Sequence, residues 1–84
     1  MKIRVVPDQV KYFRTLPLHG SQRETVQEDG SSVFSYHIAP TFDFVQEILS
    51  HGADVEVLEP IELRERIADN VAEMASRYRI PVSR

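Results

Sequence analysis

The side chains that could do chemistry are few and scattered. The chain has three histidines, His19, His37 and His51. They fall in a loop, on a strand and at a helix end, and their spacing gives none of the convergence a metal site needs. His51, in the last turn of a helix, is accounted for by the helix dipole. Ser21, Ser31, Ser32, Ser35 and Ser50 lack the sharp strand-to-helix elbow of a nucleophilic serine. Asp54, Glu56 and Glu59 crowd one strand, but like-charge crowding alone does not make an acid/base pair. There is no P-loop, no G-x-G-x-x-G and no H-E-x-x-H. With no cysteine, disulfides, thiolate metal sites and thiol nucleophiles are excluded together. The expectation is a protein that is not an enzyme and holds no metal and no cofactor.

Charge is the more informative property. The net charge is −3, the wrong sign for a nucleic-acid binder, but it is unevenly spread. Residues 1–23 carry Lys2, Arg4, Lys11, Arg14 and Arg23 against Asp8, a balance of +4, whereas residues 24–84 carry −7. A local basic surface on an acidic domain follows if those groups share a face.

The elements that must position them can be read from periodicity and punctuation. Lys2–Val6 alternates as a half-buried strand, with Ile3 and Val5 inward. Pro7 stops it, and Asp8 caps a short helix to Thr15 with Val10 and Phe13 on one side. Leu16–Ser21 is a loop punctuated by Pro17 and Gly20. Arg23–Glu28 and Ser32–Ala39 flank Asp29-Gly30, a two-residue hairpin turn with both residues at positive φ, which pairs Val26 with Val33 and Thr25 with Phe34. Phe34, Tyr36 and Ile38 then face the core, and Val33, Ser35 and His37 the other side. Pro40 ends that strand. Thr41 caps a helix to His51 with Phe42, Val45, Ile48 and Leu49 at helical spacing, and Gly52 closes it at positive φ. Val55 and Val57 are buried from the next strand. Pro60 opens the last helix at its first helical position. Leu63, Ile67, Val71, Met74 and Tyr78 form an apolar stripe expected to pack within the domain. Glu62–Arg66 and Glu73–Arg77 are favourable surface pairs, and Pro81 stops the helix.

Eighty-four residues make one domain with a small core. Its expected extent is residues 1–80, with 81–84 as a frayed tail. The fold class is α+β: a ferredoxin-like βαββαβ antiparallel sheet, order 4-1-3-2, with helices on one face and an added C-terminal helix. One sheet face is left for water, the added helix or a partner. That face lacks the exposed aromatics and the RNP-type motif by which RNA-recognition sheets stack bases. No apolar run reaches the length of a membrane span, and no signal peptide is visible. A cytoplasmic protein without membrane contact is expected.

Two segments, LPLHGSQRETVQEDGSSVFSYHIA and ILSHGADVEVLEPIELRERIADNVAEM, resemble the C-terminal extension domain, often called WCX, of bacterial WYL-domain transcriptional regulators. Pro17, His19, Ser21 and Gln22 match the family's first block, and Asp29-Gly30 its turn. Ile48, Leu49 and Gly52 match its helix end. Val55, Val57, Leu58, Pro60, Glu62, Leu63 and Arg64 match its last block. The resemblance spans residues 2–78. Gly20 stands where the family usually has proline, and His51 where tryptophan is common.

The resemblance implies a non-catalytic regulatory domain that contributes to effector sensing, dimerisation or both. Full-length relatives add a winged helix-turn-helix and a WYL domain, which are the expected partners. This chain then reads as a detached C-terminal piece. The implied effector is single-stranded nucleic acid or a nucleotide-like ligand. Arg14, His19, Ser21, Gln22 and Arg23 are the candidate ligand-binding residues: serine and glutamine can donate hydrogen bonds to phosphate or sugar, and arginine can pair with phosphate through two bonds at once. The alternative is a stand-alone module that forms homo-oligomers through the uncovered sheet face and last helix, or that binds a small molecule.

Overall fold

A computed structural model describes residues 1–39 and 41–79. The expectations about Pro40, Pro81 and the tail lie outside the described residues. The elements are β1 (Lys2–Val5), α1 (Pro7–Thr15), β2 (Arg23–Val26), β3 (Ser32–Ser35), α2 (Phe42–Leu49), a 3-10 turn (Gly52–Asp54), β4 (Val55–Glu59) and α3 (Ile61–Arg79). The described residues thus form an α+β fold, with three α-helices and one four-stranded sheet. The sheet order is β2-β3-β1-β4, and every neighbouring pair is antiparallel. Counted from the β4 edge, it reads 4-1-3-2.

One face of the sheet makes the core. Ile3 and Val5 from β1, Phe34 from β3 and Val57 from β4 pack against Val10 and Phe13 of α1 and Val45 and Ile48 of α2. Phe13 stacks on Phe34 with ring centroids 5.7 Å apart. The alternation of β1 produces this arrangement, because Lys2 and Arg4 must point away from the buried Ile3 and Val5.

Four local expectations need correction. First, α1 begins at Pro7, and its N-cap position is Val6, which has no side-chain cap. Asp8 instead lies in the first turn, where a carboxylate opposes the positive helix end. Second, the hairpin closes through three residues. The Gly30 N–H donates to the Gln27 carbonyl and the Gln27 N–H to the Ser31 carbonyl. Of the Asp29-Gly30 pair only Gly30 has positive φ, +89°. The register therefore shifts by one residue, setting Val26 opposite Ser32 and Glu24 opposite Phe34. An Asp-Gly pair serves both loop lengths, since the three-residue loop also needs its last residue in the left-handed region.

Third, Pro60 lies outside α3. Its carbonyl accepts the first helical bond, from the Arg64 N–H, and the Glu59–Pro60 peptide is cis. Fourth, two apolar sets are less buried than their spacing predicts. Phe42 is 75% exposed at the start of α2. Along α3 only Leu63 is buried and Ile67 half-buried, while Val71, Met74 and Tyr78 are exposed. The helix is longer than the sheet it leans on, so its distal part projects, and the molecule extends 44 × 27 × 20 Å.

Candidate functional site

The five candidate residues occupy one end of the sheet, but they do different things. Gln22 is a latch. Its Nε2 donates to the Phe13 carbonyl at 3.0 Å, and its Oε1 accepts from the Leu18 N–H at 3.2 Å and the Tyr36 hydroxyl at 2.6 Å. All polar atoms of the side chain are engaged, tying the loop before β2 to α1 and to the end of β3. Burial pushes the Tyr36 phenol well above its usual range, so it remains a donor to Gln22 at any ordinary pH.

Arg14 is also engaged. Its guanidinium meets the Glu24 carboxylate through two bonds, Nε at 2.8 Å and Nη2 at 2.7 Å. Glu24 additionally accepts from the buried Ser32 hydroxyl. The arginine bonds, followed by the serine bond, hold the Glu24 carboxyl below the usual carboxylate range. This fork fastens α1 to β2, and its charges neutralise each other.

His19 and Ser21 form a compact turn. The Ser21 N–H donates to His19 Nδ1 at 3.1 Å, and Ser21 Oγ lies 2.8 Å from the same nitrogen. Ser21 Oγ also accepts from the His37 N–H at 3.0 Å. With Nδ1 acting as acceptor, the ring proton belongs on Nε2.

Arg23 differs from the other four. It lies on the uncovered sheet face, in a cross-strand row that runs Arg23, Ser35, Lys2. It is exposed, and among the described residues it has no ion-pair or side-chain hydrogen-bond partner. Neighbouring strands are about 4.8 Å apart, so Arg23 and Lys2 stand about 10 Å apart with the Ser35 hydroxyl between them. Among the described residues Lys2 has one loose ion pair, with Glu59 at 3.9 Å. His37 is exposed in the bend just beyond the end of β3, its N–H held by Ser21.

The next row carries Arg4, which is less available. Its Nη2 donates to Asp29 and its Nε to Ser31, each at 3.3 Å. Beyond it, Glu56 receives Arg64 at 2.8 Å. Ser31, through its hydroxyl and backbone N–H, lowers the Asp29 carboxyl, and Arg4 adds to this. The open face is therefore graded, with spare positive charge at the Arg23 end and balanced pairs at the hairpin and β4 end.

Sequence reasoning missed Lys2 and Ser35 as neighbours of Arg23. Their alternation was visible, but their shared row depends on strand register. Among the described residues no cluster of metal-ligating side chains occurs, and no helix is long and apolar enough to cross a membrane.

His51 takes the place expected of a larger ring. It packs against Phe13 at 4.8 Å and Tyr12 at 5.8 Å between ring centroids. Its Nε2 is buried without a hydrogen bond; a Glu47 oxygen is 3.3 Å away but outside hydrogen-bonding geometry.

The sequence model of the WCX domain matches residues 1–75 of the chain. No curated protein matches it.

Proposed function

The chain belongs to the WCX domain family, a C-terminal domain of WYL-type regulators, and from that premise we propose a non-catalytic sensing role. In this reading the domain serves a bacterial cytoplasmic transcriptional regulator, alongside WYL and helix-turn-helix domains. Its fold is the ferredoxin-like βαββαβ arrangement with an added helix, and it uses the uncovered sheet face to take an anionic effector, single-stranded nucleic acid or a nucleotide.

One observation carries the reading: among the described residues, the row Arg23–Ser35–Lys2 holds exposed cations without strong internal partners on one face of the sheet. Arginine and lysine release counterions on meeting phosphate, so such a row binds more tightly as salt falls. Ser35, together with His19 and His37 at the rim, supplies hydrogen-bonding groups for sugar or base edges. Arg14 and Gln22 act as positioning residues for the loop that presents His19, Ser21 and Arg23.

The test is fluorescence anisotropy of a labelled single-stranded 12-mer with the chain, at low and moderate salt. Replacing both Arg23 and Lys2 with alanine should weaken binding at least about tenfold and flatten the salt slope by about 1.4, the value for two lost phosphate contacts on a single strand. Arg14→Ala, which removes no phosphate contact, should leave the salt slope unchanged and weaken binding less than the double variant. No binding at low salt, or an affinity insensitive to the double variant, would refute the assignment.

A further inference from the structure

The layer of helices carries a feature opposite in sign to the cationic row. Between the end of α1 and the start of α2 lies an open groove of about 460 Å³. Tyr12 and Leu16 from the α1 side, Leu18 from the loop that follows and Phe44 from α2 give it apolar walls. Tyr12 is 46% exposed and Leu16 55%, so a large part of both side chains meets water. Neighbouring rings hold the aromatic walls in place. Tyr12 lies edge-on to Phe13 and to His51, each at 5.8 Å between centroids, and Phe44 lies edge-on to Tyr36 at 5.3 Å.

The charge of the groove is negative. The Thr41 hydroxyl accepts from the Phe44 N–H at 3.2 Å and caps α2, which places Asp43 in its first turn. Glu47 follows four residues on, so the two carboxylates share one side of the helix, about 6 Å apart along its axis. Both are exposed, and both line the groove. Among the described residues Asp43 has no ion pair. The basic group at Glu47 is the His51 ring, which lies outside hydrogen-bonding geometry. Like charges at this spacing repel each other, and no lysine or arginine lines the groove to offset them.

We infer that this groove binds a small organic cation, an ammonium group carrying an aromatic or branched aliphatic body. The ammonium pairs with Asp43 and Glu47, and the body covers Leu16, Leu18 and the rings of Tyr12 and Phe44. Aromatic faces also attract a cation, so the walls and the carboxylates select the same ligand. A bare cation leaves the apolar walls in water. A neutral body leaves the carboxylates unmatched, and an anionic one is repelled by them. The volume falls within the roughly 300–1,000 Å³ of small-molecule sites. Helices α1 and α2 pack on the core face of the sheet, opposite Arg23 and Lys2, so the inference stands apart from the anionic-effector reading.

The experiment is an NMR titration of the full chain with phenethylamine, which is protonated at neutral pH, following the amide resonances. Three further probes separate the contributions: phenethyl alcohol lacks the charge, hydrocinnamate reverses it, and methylammonium lacks the body. The expected result is saturable shifts at Tyr12, Leu16, Leu18, Phe44 and Glu47, with a millimolar Kd at least about tenfold tighter than for the other three probes. That affinity should weaken as salt rises. Asp43→Asn/Glu47→Gln keeps the shape and removes the charges. It should bind phenethylamine at least about tenfold more weakly and lose the salt dependence, with the affinity for phenethyl alcohol unchanged. Leu16→Ala, at an exposed position, should weaken phenethylamine binding about threefold or more. Dispersed amide spectra confirm that each variant is folded, and the comparison of probes on the parent tests the idea even if a variant fails to fold. No saturable shifts, equal affinity for the alcohol, or an affinity indifferent to the double variant overturns the proposal.

Discussion

A single side chain, Gln22, decides where the candidate residues stand. It satisfies a helix-end carbonyl, a loop N–H and a buried phenol together, so removing it leaves several polar groups without partners. Gln22→Ala should lower stability by about 2–3 kcal/mol, read as a fall in the urea midpoint with unchanged slope. An unchanged midpoint would show that the loop is held by its backbone alone. Glu24 gives the residue-scale pH dependence. Its carboxyl is lowered in the folded state by Arg14 and Ser32, so the folded protein binds fewer protons there than the unfolded chain. That contribution is complete above the unfolded value, about 4.3, and is lost as the pH falls through the lower folded value. Glu24→Gln should be less stable than the parent at pH 7 and lose less stability on acidification below pH 4. Equal acid sensitivity in both proteins would remove Glu24 from the account. Residue types pointed to Arg14, His19, Ser21, Gln22 and Arg23 without dividing them. The division depends on whether a carboxylate or carbonyl sits opposite each group, which requires distances across the fold.

Elements were more legible than their ends. Strand alternation and helical spacing identify β1, α1, α2, β4 and α3 because each has a buried face that imposes its period. Hairpin register was misread because Asp29-Gly30 suits both a two-residue turn and a type I turn closed by a left-handed glycine. The two loop glycines now separate. Gly30 has φ +89°, and a Cβ there would meet only Pro7 at ordinary contact distance, 3.5 Å, so its need for glycine is conformational. Gly20 has no positive φ and nothing within 4 Å of a built Cβ. Gly30→Ala should therefore destabilise by about 1 kcal/mol or more, while Gly20→Ala should stabilise by about 0.4–1 kcal/mol through the unfolded chain. Thermal unfolding of the two variants side by side checks this. Matching shifts of the same sign would mean that the hairpin relaxes to another turn.

At the scale of the whole molecule, the chain divides into a packed layer and a projecting helix. A repeat of apolar residues along α3 shows that one face avoids water, but does not say whose surface covers it. The sheet is too short to do so beyond Ile67. Among the described residues the distal turns thus have helical hydrogen bonds and no tertiary cover, and an isolated segment of that length is marginal in water. In dilute protein the amides of Val71–Ser76 should exchange with solvent at least about a hundredfold faster than those of Ile3 and Phe34, which open only with the core. Protection of Val71–Ser76 as high as that of Ile3 and Phe34 would show that distal α3 is covered from within its own chain.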